Sequence, residues 1–284
     1  MASTLMDIET QIDRAHRLRR MHDRTQLLLL PNAWDAGTAR LFEQRGFAAV
    51  ATTSGGMAWS LGYADGEQVP LAQVLQAVAR ITRACSVPVT VDFEGGYGLT
   101  PYEVAASVLA VIEAGAVGIN LEDGLPGHGP LRPIDSAAAR IAAARTAATT
   151  SGVPLVINAR VDLWLHADDQ PGGARLREAV QRAQAYLAAG ADCVYPIGLR
   201  DVDTLADFIL AIDAPVNVAA GPGMPSVEEL ARIGVARVST ATRLATLALG
   251  AIEHAAVQMR ETGRFDALAS AFTYDDAQCL FAQC

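Results

Sequence analysis

The sequence predicts a single (β/α)8 barrel of the TIM type, and three observations carry that prediction. The chain has 284 residues, 51% of them apolar. Short β-rich apolar runs alternate along it with longer stretches of helical periodicity, the signature of βαβ units and a parallel sheet. Eight such units can be drawn, which favours a closed barrel over an open doubly wound sheet, the minor alternative. One barrel routinely takes roughly 250 residues, so 1–284 is read as one domain.

The elements follow in order. Residues 1–25 form a polar N-terminal helical segment. Strands are expected at 27–31, 48–53, 87–92, 118–121, 155–159, 193–196, 216–219 and 237–239. Thr100-Pro101-Tyr102-Glu103 and Ser226-Val227-Glu228-Glu229 have capping-box spacing, in which hydroxyl and carboxylate each satisfy a free N–H at a helix start. After the eighth strand, 241–260 reads as a long Ala/Leu helix. The following tail carries Phe272, Tyr274, Leu280 and Phe281. Such a tail is expected to pack on its own barrel or on a neighbour, making 241–284 a helical C-terminal extension.

Composition excludes several function classes. The net charge of -9 argues against nucleic-acid or anionic-membrane partners, which select basic surfaces. No apolar run approaches the ~18 to 20 residues of a membrane span, and 1–25 lacks the pattern of a signal peptide, so a cytoplasmic location is expected. Cys85, Cys193, Cys279 and Cys284 show neither zinc-ligand nor disulfide-framework spacing. All the basic residues are arginine; without a lysine amine, Schiff-base and pyridoxal chemistry are closed.

Active sites of parallel barrels form where the strands end. The third strand ends in Asp92-Phe93-Glu94-Gly95-Gly96-Tyr97-Gly98, the fourth in Asn120-Leu121-Glu122-Asp123, and Asp65 follows the second. Carboxylates converging on one mouth repel one another unless a cation sits among them. With oxygen ligands and no histidine or cysteine at that rim, Mg2+ (or Mn2+) fits best, held by few direct carboxylates and otherwise through water. Asp65 and Asp123 also admit a plain helix-capping role. The fifth strand ends in Asn158-Ala159-Arg160, whose guanidinium suits a substrate carboxylate or an ion pair with Glu122 or Asp162. Ser54, Gly55 and Gly56 expose N–H groups that could cradle a carboxylate or developing oxyanion. Asn217 is a candidate substrate contact, whereas Gly221-Pro222-Gly223 is largely explained by the Ser226 capping box.

These segments, together with Pro31-Asn32-Ala33-Trp34-Asp35, resemble the isocitrate lyase and phosphoenolpyruvate mutase superfamily over nearly the whole chain. The resemblance implies a barrel whose eighth helix is swapped within a dimer, with dimers pairing into tetramers. It implies Asp92 as direct Mg2+ ligand, with Asp65, Glu94 and Glu122 acting through water. Ser54, Gly55, Gly56 and Arg160 would hold the 2-oxo acid, and Trp34 would cover one of its faces. The metal and the N–H groups would stabilise a pyruvate-like enolate.

One departure stands out. Lyases of the family carry Lys-Lys-Cys-Gly-His after the fourth strand, where this chain reads Gly124-Leu125-Pro126-Gly127-His128-Gly129-Pro130-Leu131-Arg132-Pro133. The Lys, Asn, Ser or Thr set of the phosphonate enzymes is missing too. The glycines and prolines suggest a mobile lid, in which His128 is a candidate acid or base and Arg132 a substrate clamp. Arg160, Glu122 and His128 are thus the candidate catalytic groups. The leading expectation is a Mg2+-dependent lyase of a small 2-oxo or dicarboxylic acid. Phosphonate mutase or hydrolase chemistry is the rival, and a degenerate metabolite-binding barrel is the alternative of another class.

Overall fold

The computed structural model describes residues 7–127, 129–166 and 172–282. Its centre is a ring of parallel strands: β1 in two pieces, Leu28–Leu30 and Asn32–Ala33, then β2 (Val50–Thr52), β3 (Val89–Asp92), β4 (Gly118–Glu122), β5 (Val156–Val161), β6 (Cys193–Pro196), β7 (Asn217–Ala219) and β8 (Arg237–Ser239). Pro31 divides β1 because it has no N–H to donate. The first piece pairs with β8, Leu28 opposite Arg237, and the second with β2, Asn32 opposite Ala51. A parallel bridge between Val194 and Val216 joins β6 to β7. The ring therefore closes, and the open doubly wound sheet is excluded.

Several strands start later than the apolar runs suggested, because buried residues such as Ala49 lead into the barrel before the ladder begins. Conversely, β4 and β5 run past their expected ends. Glu122 and Arg160 stand opposite one another in register, so their charges offset and the pairing continues to the rim.

The surrounding helices are α1 (Ile8–Arg20), α2 (Ala36–Gln44), α3 (Ser54–Leu61), α4 (Leu71–Ala84), α5 (Pro101–Glu113), α6 (Ile134–Ser151), α7 (Gly172–Ala188), α8 (Val202–Ile212), α9 (Val227–Arg232), α10 (Arg243–Thr262) and α11 (Tyr274–Cys279). Both anticipated capping boxes form, at Thr100 and Ser226. The α1 helix closes the bottom of the barrel. Its Gln11 Nε2 donates to the carbonyls of Ile112 (2.7 Å) and Ala116 (3.0 Å). A Cβ on Gly118 would stand 2.9 Å from Leu18 Cδ2, so the glycine lets Leu18 plug the ring.

The segment expected to form a mobile lid carries a short antiparallel hairpin, Gly124–Leu125 against Gly129–Leu131. The aromatic tail docks only in part. Leu280 is buried and its carbonyl accepts from Arg40 Nε (2.8 Å), yet Tyr274 and Phe281 remain exposed. Among the described residues no helix is long and apolar enough to cross a membrane.

Candidate active site

Successive side chains of a strand alternate between the two faces. The alternation sends Asp92 of β3, Asn120 and Glu122 of β4, Asn158 and Arg160 of β5, Tyr195 of β6, and Arg237 and Ser239 of β8 into the barrel. At the carboxyl ends Asp92, Asn120, Glu122, Arg160, Tyr195 and Ser239 floor a cavity of about 190 Å³ whose wall also includes Ser54, Asp65 and Glu94, while Asn158 and Arg237 reach Asn120. The acids expected at the rim thus meet in one pocket.

Each carboxylate is aimed by its neighbours. Asp92 accepts from the Ser54 N–H (3.2 Å) and from Asn120 Nδ2 (3.3 Å). The Asn120 amide has a fixed orientation, because its oxygen accepts from Asn158 Nδ2 (2.8 Å) and from the Arg237 guanidinium (3.3 Å), leaving its NH2 for Asp92. Glu94 accepts from the Glu67 N–H (2.6 Å) and Tyr97 OH (2.5 Å). Burial pushes the Glu94 carboxyl up to about 7, against the pull of the Tyr97 hydrogen bond and with help from the Asp92 and Asp65 charges. Glu67, Glu94, Tyr97 and Ala241 all have φ between 48° and 57°, a region that costs non-glycine residues free energy and marks functional sites.

Arg160 sits deep between two acids. Its Nε and an NH2 group reach Asp162 at 2.6 and 2.7 Å, and the same NH2 also reaches Glu122. Burial lowers the Arg160 pKa, but the Asp162 and Glu122 charges outweigh it and hold the guanidinium charged. Burial raises Glu122 despite the pull of Arg160, and Asp162, Asp92 and Glu94 push the same way.

The residues fit a divalent cation. Asp65 Oδ1 is buried with no hydrogen-bond partner, and acids crowd one pocket at high local negative charge. Among the described residues no three acidic, histidine or cysteine side chains stand close enough to cage an ion unaided.

Other expected residues lie elsewhere. Asp123, read as a second rim acid, is turned away by strand alternation; it accepts from Tyr186 OH (2.7 Å), Arg182 (3.2 Å) and the Asp162 N–H (2.9 Å). It ties three elements together and is neither a rim acid nor a helix cap. Arg132, the expected clamp, is buried with its guanidinium on the Gly124 carbonyl, locking the base of the hairpin. Trp34 packs beside Gly56, where an added Cβ would stand 2.8 Å from the Trp34 Cβ, and it does not line the pocket. Gly55 and Gly56 lie in the first turn of α3, which has no side-chain cap, so their N–H groups lack intrahelical acceptors. Asn217 is fully buried below the pocket and donates to Ser239 Oγ (3.1 Å). His128 lies outside the described residues. Sequence reasoning passed over Tyr195, Asp162 and Thr242 as parts of the pocket wall; the rule that strand ends face the site would have found Tyr195 at the end of β6.

A model of the phosphoenolpyruvate phosphomutase family matches residues 18–260. An uncharacterized protein of Mycobacterium tuberculosis is 37% identical over 241 residues, covering 83% of this chain and 86% of that protein. The 2-methylisocitrate lyase of Escherichia coli is 33% identical over 188 residues, covering 64% of this chain and 61% of the lyase. Among solved structures, a Burkholderia cenocepacia protein provisionally described as a lyase/mutase superimposes with a TM-score of 0.89 at 39% identity, covering 96% of this chain and 97% of that one. A phosphonopyruvate hydrolase in complex with oxalate and Mg2+ matches at TM-score 0.80 and 24% identity over 94% of each chain, a likeness of fold alone.

Proposed function

Since this chain belongs to the phosphoenolpyruvate phosphomutase family, we propose that it is a Mg2+-dependent lyase that breaks a carbon–carbon bond next to a 2-oxo carboxylate. Supporting this reading is the convergence of Asp65, Asp92, Glu94 and Glu122 on one pocket, with a buried Asp65 oxygen left unpartnered. The similarity to 2-methylisocitrate lyase favours carbon–carbon over carbon–phosphorus cleavage.

Asp92 would hold the ion directly, with Asp65, Glu94 and Glu122 reaching it through water. When bound, the ion supplies positive charge to the 2-oxo carboxylate and to the negative charge that develops on its oxygen. The first turn of α3 offers the N–H groups of Gly55 and Gly56 to the same oxygen. Glu122, buried and pushed up in pKa, accepts or returns the substrate proton, and Arg160 keeps its carboxylate in place. Ser54 orients Asp92 through its N–H.

The test is turnover by the purified protein with Mg2+ on oxaloacetate, 2-methylisocitrate, isocitrate, dimethylmalate and phosphonopyruvate, following pyruvate, glyoxylate and phosphate with an EDTA control. EDTA-sensitive release of a 2-oxo acid without phosphate supports the lyase. Phosphate release from phosphonopyruvate, or its conversion to phosphoenolpyruvate, would select the phosphonate branch instead. Metal binding without turnover of any of these acids would favour a barrel that only binds its metabolite.

A further inference from the structure

Three buried side-chain atoms in the wall of the acid pocket have no hydrogen-bond partner among the described residues: Thr53 Oγ1, Asp65 Oδ1 and Tyr195 OH. Buried polar groups are ordinarily paired, so each calls for a reason. The ion accounts for Asp65, and Thr53 is the N-cap of α3, beside N–H groups already assigned to the substrate oxygen. Tyr195 has no such reason. We propose that Tyr195 is a substrate-binding residue whose phenolic hydroxyl donates a hydrogen bond to the substrate carboxylate. This role rests on the reading of the acid pocket as the 2-oxo acid site.

Its place in the barrel favours that contact. Tyr195 is only 3% exposed and stands opposite Arg160 in the register of β6 on β5, so strand alternation sends both side chains into the barrel at one level. Arg160 is the group expected to hold the carboxylate, yet its fork is already engaged by Asp162 and Glu122. A hydroxyl beside it supplies a donor with no acid of its own to satisfy. In the ring of eight, β6 lies across from β2, whose end leads into α3. A small acid with its 2-oxo oxygen on the α3 N–H groups therefore turns its other side to Tyr195.

The hydroxyl is also set to donate and not to accept. Asn217 Nδ2 donates to Ser239 Oγ (3.1 Å), which leaves the serine proton for another acceptor. Ser239 is near enough to Tyr195 to stabilise a phenolate, though outside hydrogen-bond geometry with it. The serine proton is thus directed at the phenolic oxygen, and the Tyr195 proton is left for a ligand. Burial pushes the phenol up to about 12, against the pull of the Arg160 charge, so that proton stays in place throughout the neutral range. Asn217, expected from sequence to touch the substrate, acts here as a positioning residue through Ser239.

Calorimetric titration of the Mg2+-loaded protein with oxalate, wild type against Tyr195→Phe, tests this. The substitution removes one oxygen and keeps the ring that walls the pocket. Oxalate is expected to bind about tenfold or more weaker in the variant, the effect of losing one donor to a charged acceptor. The factor should be the same at pH 6.5 and 8.5, because the phenol carries its proton at both. Mn2+ affinity without oxalate should not change. The metal-free melting temperature should not fall, since the deleted hydroxyl has no partner in the free protein. A merely structural tyrosine gives the reverse pattern, a lower melting temperature with oxalate affinity intact. That pattern would overturn the proposal, as would equal oxalate affinity at an undiminished melting temperature, or a fall in Mn2+ affinity large enough to account for the oxalate loss. Failure of the Mg2+-loaded wild type to bind oxalate would instead sink the reading of the acid pocket, and the role of Tyr195 with it.

Discussion

The support of Asp92 descends through the barrel: Asn120 orients Asp92, and Asn158 and Arg237 orient Asn120. Asn120→Leu should therefore weaken metal binding through misplacement of Asp92 and destabilise the fold by about 1 to 3 kcal/mol, because it strips a hydrogen-bond acceptor from a fully buried guanidinium. Metal affinity and urea unfolding measure the two effects. Glu94 makes a pH prediction. Its folded pKa is raised from 4.5 to about 7, so the stability it contributes without metal is present at low pH and lost as pH rises through about 7. Below that pH an ion must displace its proton; above it the carboxylate is free. The rise in melting temperature produced by Mg2+ relative to EDTA should thus grow between pH 5.5 and 8, and a pH-independent increment would contradict the site. His22, depressed to about 4 by burial, has the opposite sign, losing its contribution as pH falls, but it lies at the barrel bottom and cancels in the difference. The pocket acids were legible because strand ends in a parallel barrel announce themselves. Asp123 was misjudged because a one-residue step along a strand reverses the face. Arg237 was invisible: nothing in its local sequence distinguishes a buried guanidinium from a surface one.

Secondary elements divide the same way. Helices with capping boxes and strands with apolar runs were readable, since their signals are local. The α3 helix and the hairpin after β4 were not. The first starts in glycines without a cap, and the second is stabilised by Arg132 reaching back to Gly124 and by the Arg132 N–H on the Asp123 carbonyl (2.8 Å), contacts that no periodicity encodes. The role of α1 as a plug was equally hidden, because it depends on a glycine in β4 being small enough to admit Leu18. Gln11→Ala should cost about 1 to 3 kcal/mol, since the Ala116 and Ile112 carbonyls both lose the buried Gln11 amide, Ile112 keeping the Gly115 N–H. Chemical denaturation reads that loss, and Mg2+ affinity, set at the opposite end of the barrel, should not change. Gly56→Ala is a steric counterpart at the rim: the new methyl meets Thr53 at 2.7 Å and Trp34 at 2.8 Å, and overpacking of this kind costs about 1 to 3 kcal/mol.

For the whole molecule, closure of the ring and the single mouth at its carboxyl end followed from the eight-fold alternation alone, whereas assembly does not follow from one chain. The α10 helix exposes Leu247 at 69% and Ile252 at 64%, and the tail beyond it exposes Phe265 and Phe281. Apolar surface of this kind is rarely left in water. A homo-oligomer is the expected state, dimer or tetramer, and sedimentation of the wild type against Leu247→Glu/Ile252→Glu checks it: the variant should shift toward monomer, and a wild type already monomeric would contradict the expectation. The acid pocket is the point on which the functional reading turns. Titration of Mn2+ into EDTA-treated protein, wild type against Asp92→Asn, examines it without knowledge of the substrate. One ion per chain bound by the wild type, with affinity falling about tenfold or more in a variant whose metal-free melting temperature is undiminished, is the predicted result. Equal affinity in the two proteins would contradict a metal centre built on Asp92.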